Sequence, residues 1–256
     1  MSQAVAPDRL KGRVSRISDV GVQDRRQMFE LMTRYFDNVD ANTFESDFES
    51  KTWVITAKSP RTGVLLDFST QWFGDFVVDG SPVGILYSGD TIVDRKYWAK
   101  NPLATMWGRL ALALIDRCPE RELYWFLISK GYKTYRFLPV FFNEFYPSPK
   151  HPTPARYRLM IDRVAEQMFG PRYHSTRGVI SATRDGCRLR RHVAGVTERR
   201  LRDPFVKFFD AANPGHSDGD ELCCIAPLTR ENLNQAAYRV IEAKAEIHGH
   251  VDIHLP

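Results

Sequence analysis

Residues 83–93, Val-Gly-Ile-Leu-Tyr-Ser-Gly-Asp-Thr-Ile-Val, constrain the fold more than any other segment. β-Branched and aromatic side chains dominate the run, which favours an extended strand over a helix. Asp79-Gly80 stands between this run and Phe76-Val77-Val78, a pair suited to a tight hairpin turn. The strand is therefore expected to leave an antiparallel neighbour. Gly89 inside it marks a bulge, or a close approach of another backbone or a ligand. A basic aromatic loop, 94–100, follows. Asn101-Pro102 then opens a helix, with Asn101 as N-cap and Pro102 at the first helical position. Leu103, Met106, Trp107, Leu110 and Leu114 form its buried face.

Other elements are marked by similar signals. Met28, Leu31, Met32, Tyr35 and Phe36 repeat on one helical face, and Asp37-Asn38 ends that helix. Trp53–Ala57 and Val64–Gln71 read as strands joined by the turn Pro60-Arg61-Thr62-Gly63. Leu123–Ile128 reads as a buried strand, and the chain turns at Lys130-Gly131-Tyr132. Thr134–Phe145 is expected to be helical, stopped by Pro147 and Pro149. A helix at Ala155–Phe169, a short strand at Val179–Ser181, an element at Asp203–Asp210, a strand at Glu221–Ala226 and a helix at Asn232–Glu246 complete the series. Hairpins dominate the first half, so the expected class is α+β, a mixed and mostly antiparallel sheet with helices on both faces. The expected organisation is a flexible N-terminus at 1–20 and a single domain over 21–246. A Pro- and Arg-rich helical segment is inserted in it at about 147–202, and 247–256 form a C-terminal tail.

The chain carries +5 net charge, and the excess is uneven. Nine arginines against two acids lie between Arg172 and Arg202, so this region is expected to attract anions or to form a solvated connector. Nucleic acid is not an expected partner, because few aromatics interleave those arginines. No apolar run is long enough for a membrane-spanning helix, and the N-terminus lacks an apolar signal core, so a cytoplasmic location is expected. Cys118, Cys187, Cys223 and Cys224 show no CxxC spacing and are expected to be thiols. Phosphate P-loop, GxSxG and HExxH motifs are absent.

The order of these elements, with Tyr87-Ser88-Gly89-Asp90-Thr91-Ile92-Val93 leading through Lys96–Asn101 into the helix 103–114, resembles the core of the GNAT acyltransferase superfamily. The resemblance covers roughly residues 22–146 and extends to 203–228. It implies a bulged central strand, a following strand that splays from it, and an acyl thioester in the gap. It further implies that Ile92 and Val93 offer main-chain groups to the thioester arm. Lys96, Lys100 and Asn101 would hold the donor's pyrophosphate at a helix N-terminus, where unpaired N–H groups and partial positive charge favour an anion. The family's loop carries alternating glycines after a basic residue. Here those positions read Trp98-Ala99-Lys100-Asn101-Pro102-Leu103. This divergent, degenerate loop implies a pyrophosphate held differently, an acyl carrier protein as donor, or loss of catalysis.

Acyl transfer to an amine needs a base, a grip on the thioester carbonyl and an acid for the leaving thiolate. Asp90 is the candidate base; a strand-end carboxylate paired with an arginine is the other reading. Tyr132 and Tyr135 are candidate acids, or packing residues. Lys130 and Lys133 extend the anion site, or are surface lysines. Ser88 is a candidate for orienting substrate. His216, Asp218 and Glu221, in a polar loop before a strand, are candidates for holding an acceptor amine, or form a plain turn. Trp125, Phe126, Phe137, Phe141, Phe142, Phe145 and Tyr146 line an acyl tunnel or fill the core. His248, His250 and His254 alternate at strand spacing and could face a zinc ion, although a disordered tail is the plainer reading. The implied reaction moves an acyl group, such as a fatty-acyl chain, from acyl-CoA or acyl carrier protein to a small-molecule or peptide amine. It needs no permanently bound cofactor. A non-catalytic ligand- or partner-binding protein of the same fold is the alternative.

Overall fold

A computed structural model describes residues 9–95, 102–183, 186–190, 195–243, 247–249, 251, 253 and 255, and the main chain alone of His248. β1 (Leu10–Arg16) alternates Leu10, Gly12 and Val14 inward with charged residues outward. α1 (Val22–Tyr35) buries Met28, Leu31 and Met32, and β2 (Phe36–Asp37) leaves its end. α2 (Ala41–Glu49) is capped by Asp40, whose carboxylate accepts the Thr43 N–H at 2.7 Å. β3 (Trp53–Lys58), β4 (Leu65–Val78) and β5 (Ser81–Val93) form an antiparallel meander. Asp79 and Gly80 both take positive φ at the β4–β5 turn, 51° and 77°, as a tight right-twisted hairpin requires.

α3 (Pro102–Arg117) leads to β6 (Leu123–Ser129). Two short helices follow, α4 (Tyr132–Tyr135) and α5 (Phe137–Phe141). The segment 147–202 contributes α6 (Ala155–Phe169) and the two-residue strands β7 (Tyr173–His174), β8 (Val179–Ile180) and β9 (Arg188–Leu189). α7 (Pro204–Ala212), β10 (Glu221–Pro227), α8 (Gln235–Glu242) and β11 (Ile247–His248) complete the chain.

Among the described residues, nine strands make one sheet in the order β11-β1-β3-β4-β5-β6-β10-β8-β7. Its neighbours are antiparallel except β5–β6 and β1–β11. α3 and α8 pack on one face; α1, α2 and α6 pack on the other. The class is thus α+β, with helices on both faces of a mostly antiparallel sheet. Large side chains such as Trp53, Phe68, Phe126 and Leu86 are fully buried. Each contributes about 1.5–3 kcal/mol by leaving water. No helix among the described residues is long and apolar enough to cross a membrane.

Four local expectations are corrected. Residues 10–16 are sheet rather than flexible terminus, because Leu10 and Val14 find buried partners along β3. Ile247 and His248 pair with Leu10 and Lys11, and Ile253 is buried, so the tail packs on the sheet edge. The helix expected to run to Phe145 stops at Phe141. Tyr146 exchanges main-chain bonds with Ile225 at 2.8 and 2.7 Å, and the Asn232 amide bonds both N–H and C=O of Glu144. These partners hold 142–146 out of the helix. The last helix starts at Gln235, where the Asn234 side chain accepts the N–H groups of Ala236 and Ala237.

Candidate active site

The site begins with a mismatch of strand lengths. β5 and β6 run parallel from Gly84–Leu123 to Ser88–Leu127, and there the pairing ends. Among the described residues, β5 continues to Val93 with β4 alone as its partner. Its register on β4 jumps from Gln71–Ser88 to Ser69–Thr91, so Gly89 and Asp90 together oppose Thr70. This is a bulge, and it turns the strand where β6 parts from it. A Cβ on residue 89 would stand 2.6 Å from Thr70 Oγ1 and 2.8 Å from Lys51 Cε, so any larger residue here would have to displace both side chains.

A buried chain of hydrogen bonds lies under the bulge. Trp125 Nε1 donates to Ser88 Oγ at 2.9 Å, and Ser88 Oγ donates to Gln71 Oε1 at 2.8 Å. Gln71 Nε2 donates to Ser69 Oγ at 2.7 Å, and Ser69 Oγ meets Thr91 Oγ1 at 2.6 Å. The chain ties strands on both sides of the bulge through groups that burial obliges to stay paired. Ser88 was expected to touch substrate. Its hydroxyl is instead engaged here, and it lines neither cleft described below.

On the α1–α2 side of the bulge is a cleft of about 360 Å³, walled by Phe36, Phe44, Tyr87, Asp90, Lys130 and Glu221 among others. Asp90 is half-buried. Burial pushes its carboxyl up, Asp47 and Glu221 push the same way, and Lys130 and Lys51 oppose them; the result is about 6. No described side chain pairs with Asp90, whereas Lys51 pairs with Asp47 at 2.6 Å and Lys130 with Glu221 at 3.5 Å. Lys130 belongs to this cleft rather than to an anion site, and despite burial Glu221, Cys187 and Asp90 raise its pKa. Asn213 anchors the loop before β10 by donating to Ser129 O and Asp220 O, which brings Glu221 beside Lys130.

A second cleft of about 370 Å³ opens where β5 and β6 part, lined by Thr91, Ile92, Val93, Tyr132, Lys133 and Arg200 among others. Phe36, Thr91, Thr134 and Leu189 belong to both clefts, so the two adjoin. The β2–β9 ribbon supplies Phe36 and Leu189. Tyr132 therefore faces the parted strands. Tyr135 does not: it is fully buried, its hydroxyl donates to Pro147 O at 2.9 Å, and its ring packs on Phe208 and Phe209. Burial also raises its pKa, which leaves it a packing residue.

The remaining candidates are scattered. His216 and Asp218 line a separate cavity of about 600 Å³ beyond Leu189, and His216 Nε2 pairs with Asp210 at 3.1 Å. Of the three candidates in that loop, Glu221 is the one that lines the Asp90 cleft. Lys96, Lys100 and Asn101 lie outside the described residues, as do His250 and His254. Among the described residues no cluster of His, Cys, Asp or Glu is arranged to hold a metal ion. Burial raises the thiols of Cys223 and Cys224, which makes them poor nucleophiles. Trp125, Phe126, Phe142, Phe145 and Tyr146 fill the core, and Phe137 lines the second cleft.

No protein-family model matches the chain, and no curated protein matches its sequence. Solved structures resemble it remotely. A conserved protein of unknown function from Enterococcus faecalis V583, described as a probable N-acyltransferase, is 14% identical over 50% of this chain and 31% of its own, with a TM-score of 0.39. The GNAT family N-acetyltransferase YhbS from Escherichia coli, in complex with CoA, is 17% identical over 53% of this chain and 71% of its own, at 0.35. Saccharomyces cerevisiae N-myristoyltransferase with bound myristoyl-CoA is 11% identical over 93% of this chain and 55% of its own, at 0.38. The chain thus spans about a third of the Enterococcus protein's length.

Proposed function

We propose that this chain is an acyltransferase of the GNAT type, moving an acyl group from a thioester, on CoA or acyl carrier protein, to an amine. The observation that carries the reading is the parallel pair that parts at Ser88–Leu127 beside a bulge at Gly89-Asp90. The parting makes a slot between two strands, lined by main chain, in which an extended pantetheine arm fits. The bulge sets a carboxylate at the slot's inner end, where the two clefts adjoin.

The chemistry follows from these positions. The donor arm lies along Ile92 and Val93 in the second cleft, and the acceptor amine enters the Asp90 cleft. Asp90 takes a proton from the acceptor ammonium, and the freed nitrogen attacks the thioester carbonyl carbon. The C–S bond then breaks, the leaving sulfur takes its proton from the Tyr132 hydroxyl, and the new amide nitrogen sheds its surplus proton, which restores the Tyr132 hydroxyl. A carboxyl near 6 suits this base: it is ionised at neutral pH yet more basic than a free aspartate. Asp40, Asp47, Asp90 and Glu221 outnumber Lys130 and Arg172 along the cleft wall, a balance that favours a cationic amine on approach.

The test is a thermal-shift series with acyl-CoAs of rising chain length and with acyl carrier protein, alongside native mass spectrometry of the purified chain. A co-purified thioester, or stabilisation peaking at one chain length, supports the reading and names the donor. No bound thioester and no shift with any donor favours a non-catalytic relative.

A further inference from the structure

The chain's excess positive charge converges on the second cleft. Lys133 on α4, Arg136 just after it, and Arg200 line that cleft with Thr91, Ile92 and Val93. Arg200 comes from the arginine-rich segment and sits in a fixed turn. Its N–H and that of Leu201 donate to Thr197 O at 2.8 and 3.1 Å. Asp203, which caps α7 through the Phe205 N–H, also pairs with Arg136 Nε at 3.3 Å. α7 docks on α4 through the packing of Tyr135 on Phe208 and Phe209. These contacts deliver an exposed arginine from a distant part of the chain to α4.

Arg200 forms no ion pair among the described residues. Arg200 and Arg95, which lies two residues beyond Val93, both press their charge on Lys133; burial comes first, and together they hold Lys133 below an ordinary lysine. Like charges gathered at a partly buried cleft repel one another, and an anion seated among them relieves that repulsion. The loop leading into α3, by contrast, has no glycine to wrap an anion closely, and Pro102 has no N–H to offer it. We infer that Lys133 and Arg200, which line this cleft together, form the seat for the phosphate end of the donor's pantetheine arm. The shared ligand chemistry is a phosphate ester, carried either by CoA or by the prosthetic arm of a carrier protein. This inference rests on the acyl-transfer reading for the identity of the donor.

The experiment is calorimetric titration of the full chain and of Arg200→Gln with CoA, 4′-phosphopantetheine and pantetheine. Arg199→Gln, an exposed neighbour outside the cleft, is the control. Loss of one charged contact is expected to weaken CoA binding about tenfold or more. Pantetheine binding and the Arg199→Gln variant are expected to stay unchanged, and Arg200→Lys to recover part of the loss. An equal loss for phosphopantetheine shows that the phosphate common to both sources is read; a loss for CoA alone assigns CoA. Unchanged CoA affinity in Arg200→Gln overturns the seat, as does a parent chain that binds pantetheine as tightly as CoA. Phosphate-dependent binding without acyl transfer to any amine leaves the seat standing and overturns the transfer reading instead.

Discussion

Asp90 sits where opposing influences nearly balance. Burial, Asp47 and Glu221 favour its neutral form, Lys130 and Lys51 its charged form, and the carboxyl settles at about 6. The base must be ionised to act, so kcat/KM is expected to fall tenfold per pH unit below about 6 and to level above it. Asp90→Asn is expected to lower kcat by about a hundredfold or more, with an unchanged melting temperature. Wild-type turnover in that variant would remove Asp90 from the mechanism. Lys130→Met withdraws a positive charge that lowers the Asp90 pKa, so the acid limb of the profile should move to higher pH. A limb that stayed in place would show that Lys130 does not act on Asp90.

At the scale of elements, the bulge and the hydrogen-bond chain beneath it act as one unit. Ser88→Ala leaves Trp125 Nε1 and Gln71 Oε1 without their buried partner. The expected cost is about 1–3 kcal/mol of stability, read from a urea melt, together with a lower kcat as Asp90 loses its support. A variant as stable as the parent would show that the chain does not brace the bulge. Much of this unit was legible beforehand. Gly89 within a β-rich run signalled the bulge, and Asp79-Gly80 the hairpin that feeds it. The alternation in Leu10–Val14 was equally visible but lay in a stretch expected to be flexible. What stayed hidden depends on contacts between distant segments. Nothing local in Phe142–Tyr146 announces its pairing with Ile225 and Asn232. The approach of Arg200 to Lys133, and of Glu221 to Lys130, exists only once α7 and β10 are docked. For the same reason Tyr132 and Tyr135, nearly equivalent in sequence, part company: one faces the slot and the other is locked under α7.

For the whole molecule, the buried carboxyl of Asp67 makes stability depend on pH in an unusual direction. Asp67 Oδ1 accepts the Asp94 N–H at 2.7 Å, while Oδ2 is buried without a partner among the described residues. Burial raises its pKa to about 7, and Asp94 adds to the rise against the bond from its own N–H. Raised in the folded state, this carboxyl binds its proton more tightly there than in the unfolded chain. Its contribution is therefore full at low pH and is lost as pH climbs from about 4 through about 7, up to about 4 kcal/mol. Urea midpoints at pH 5 and pH 8 should fall further for the parent than for Asp67→Asn; parallel falls would mean that Asp67 is ionised throughout. Transfer at the parted strands, finally, is tested most directly by amine-dependent thiol release. The parent chain and Asp90→Asn would each be given acyl-CoA or acyl carrier protein with a panel of amines. An acyltransferase of this design releases thiol only when donor and a suitable amine are both present, and Asp90→Asn nearly abolishes the release. Release that is independent of the amine, or equal in the two proteins, would contradict it.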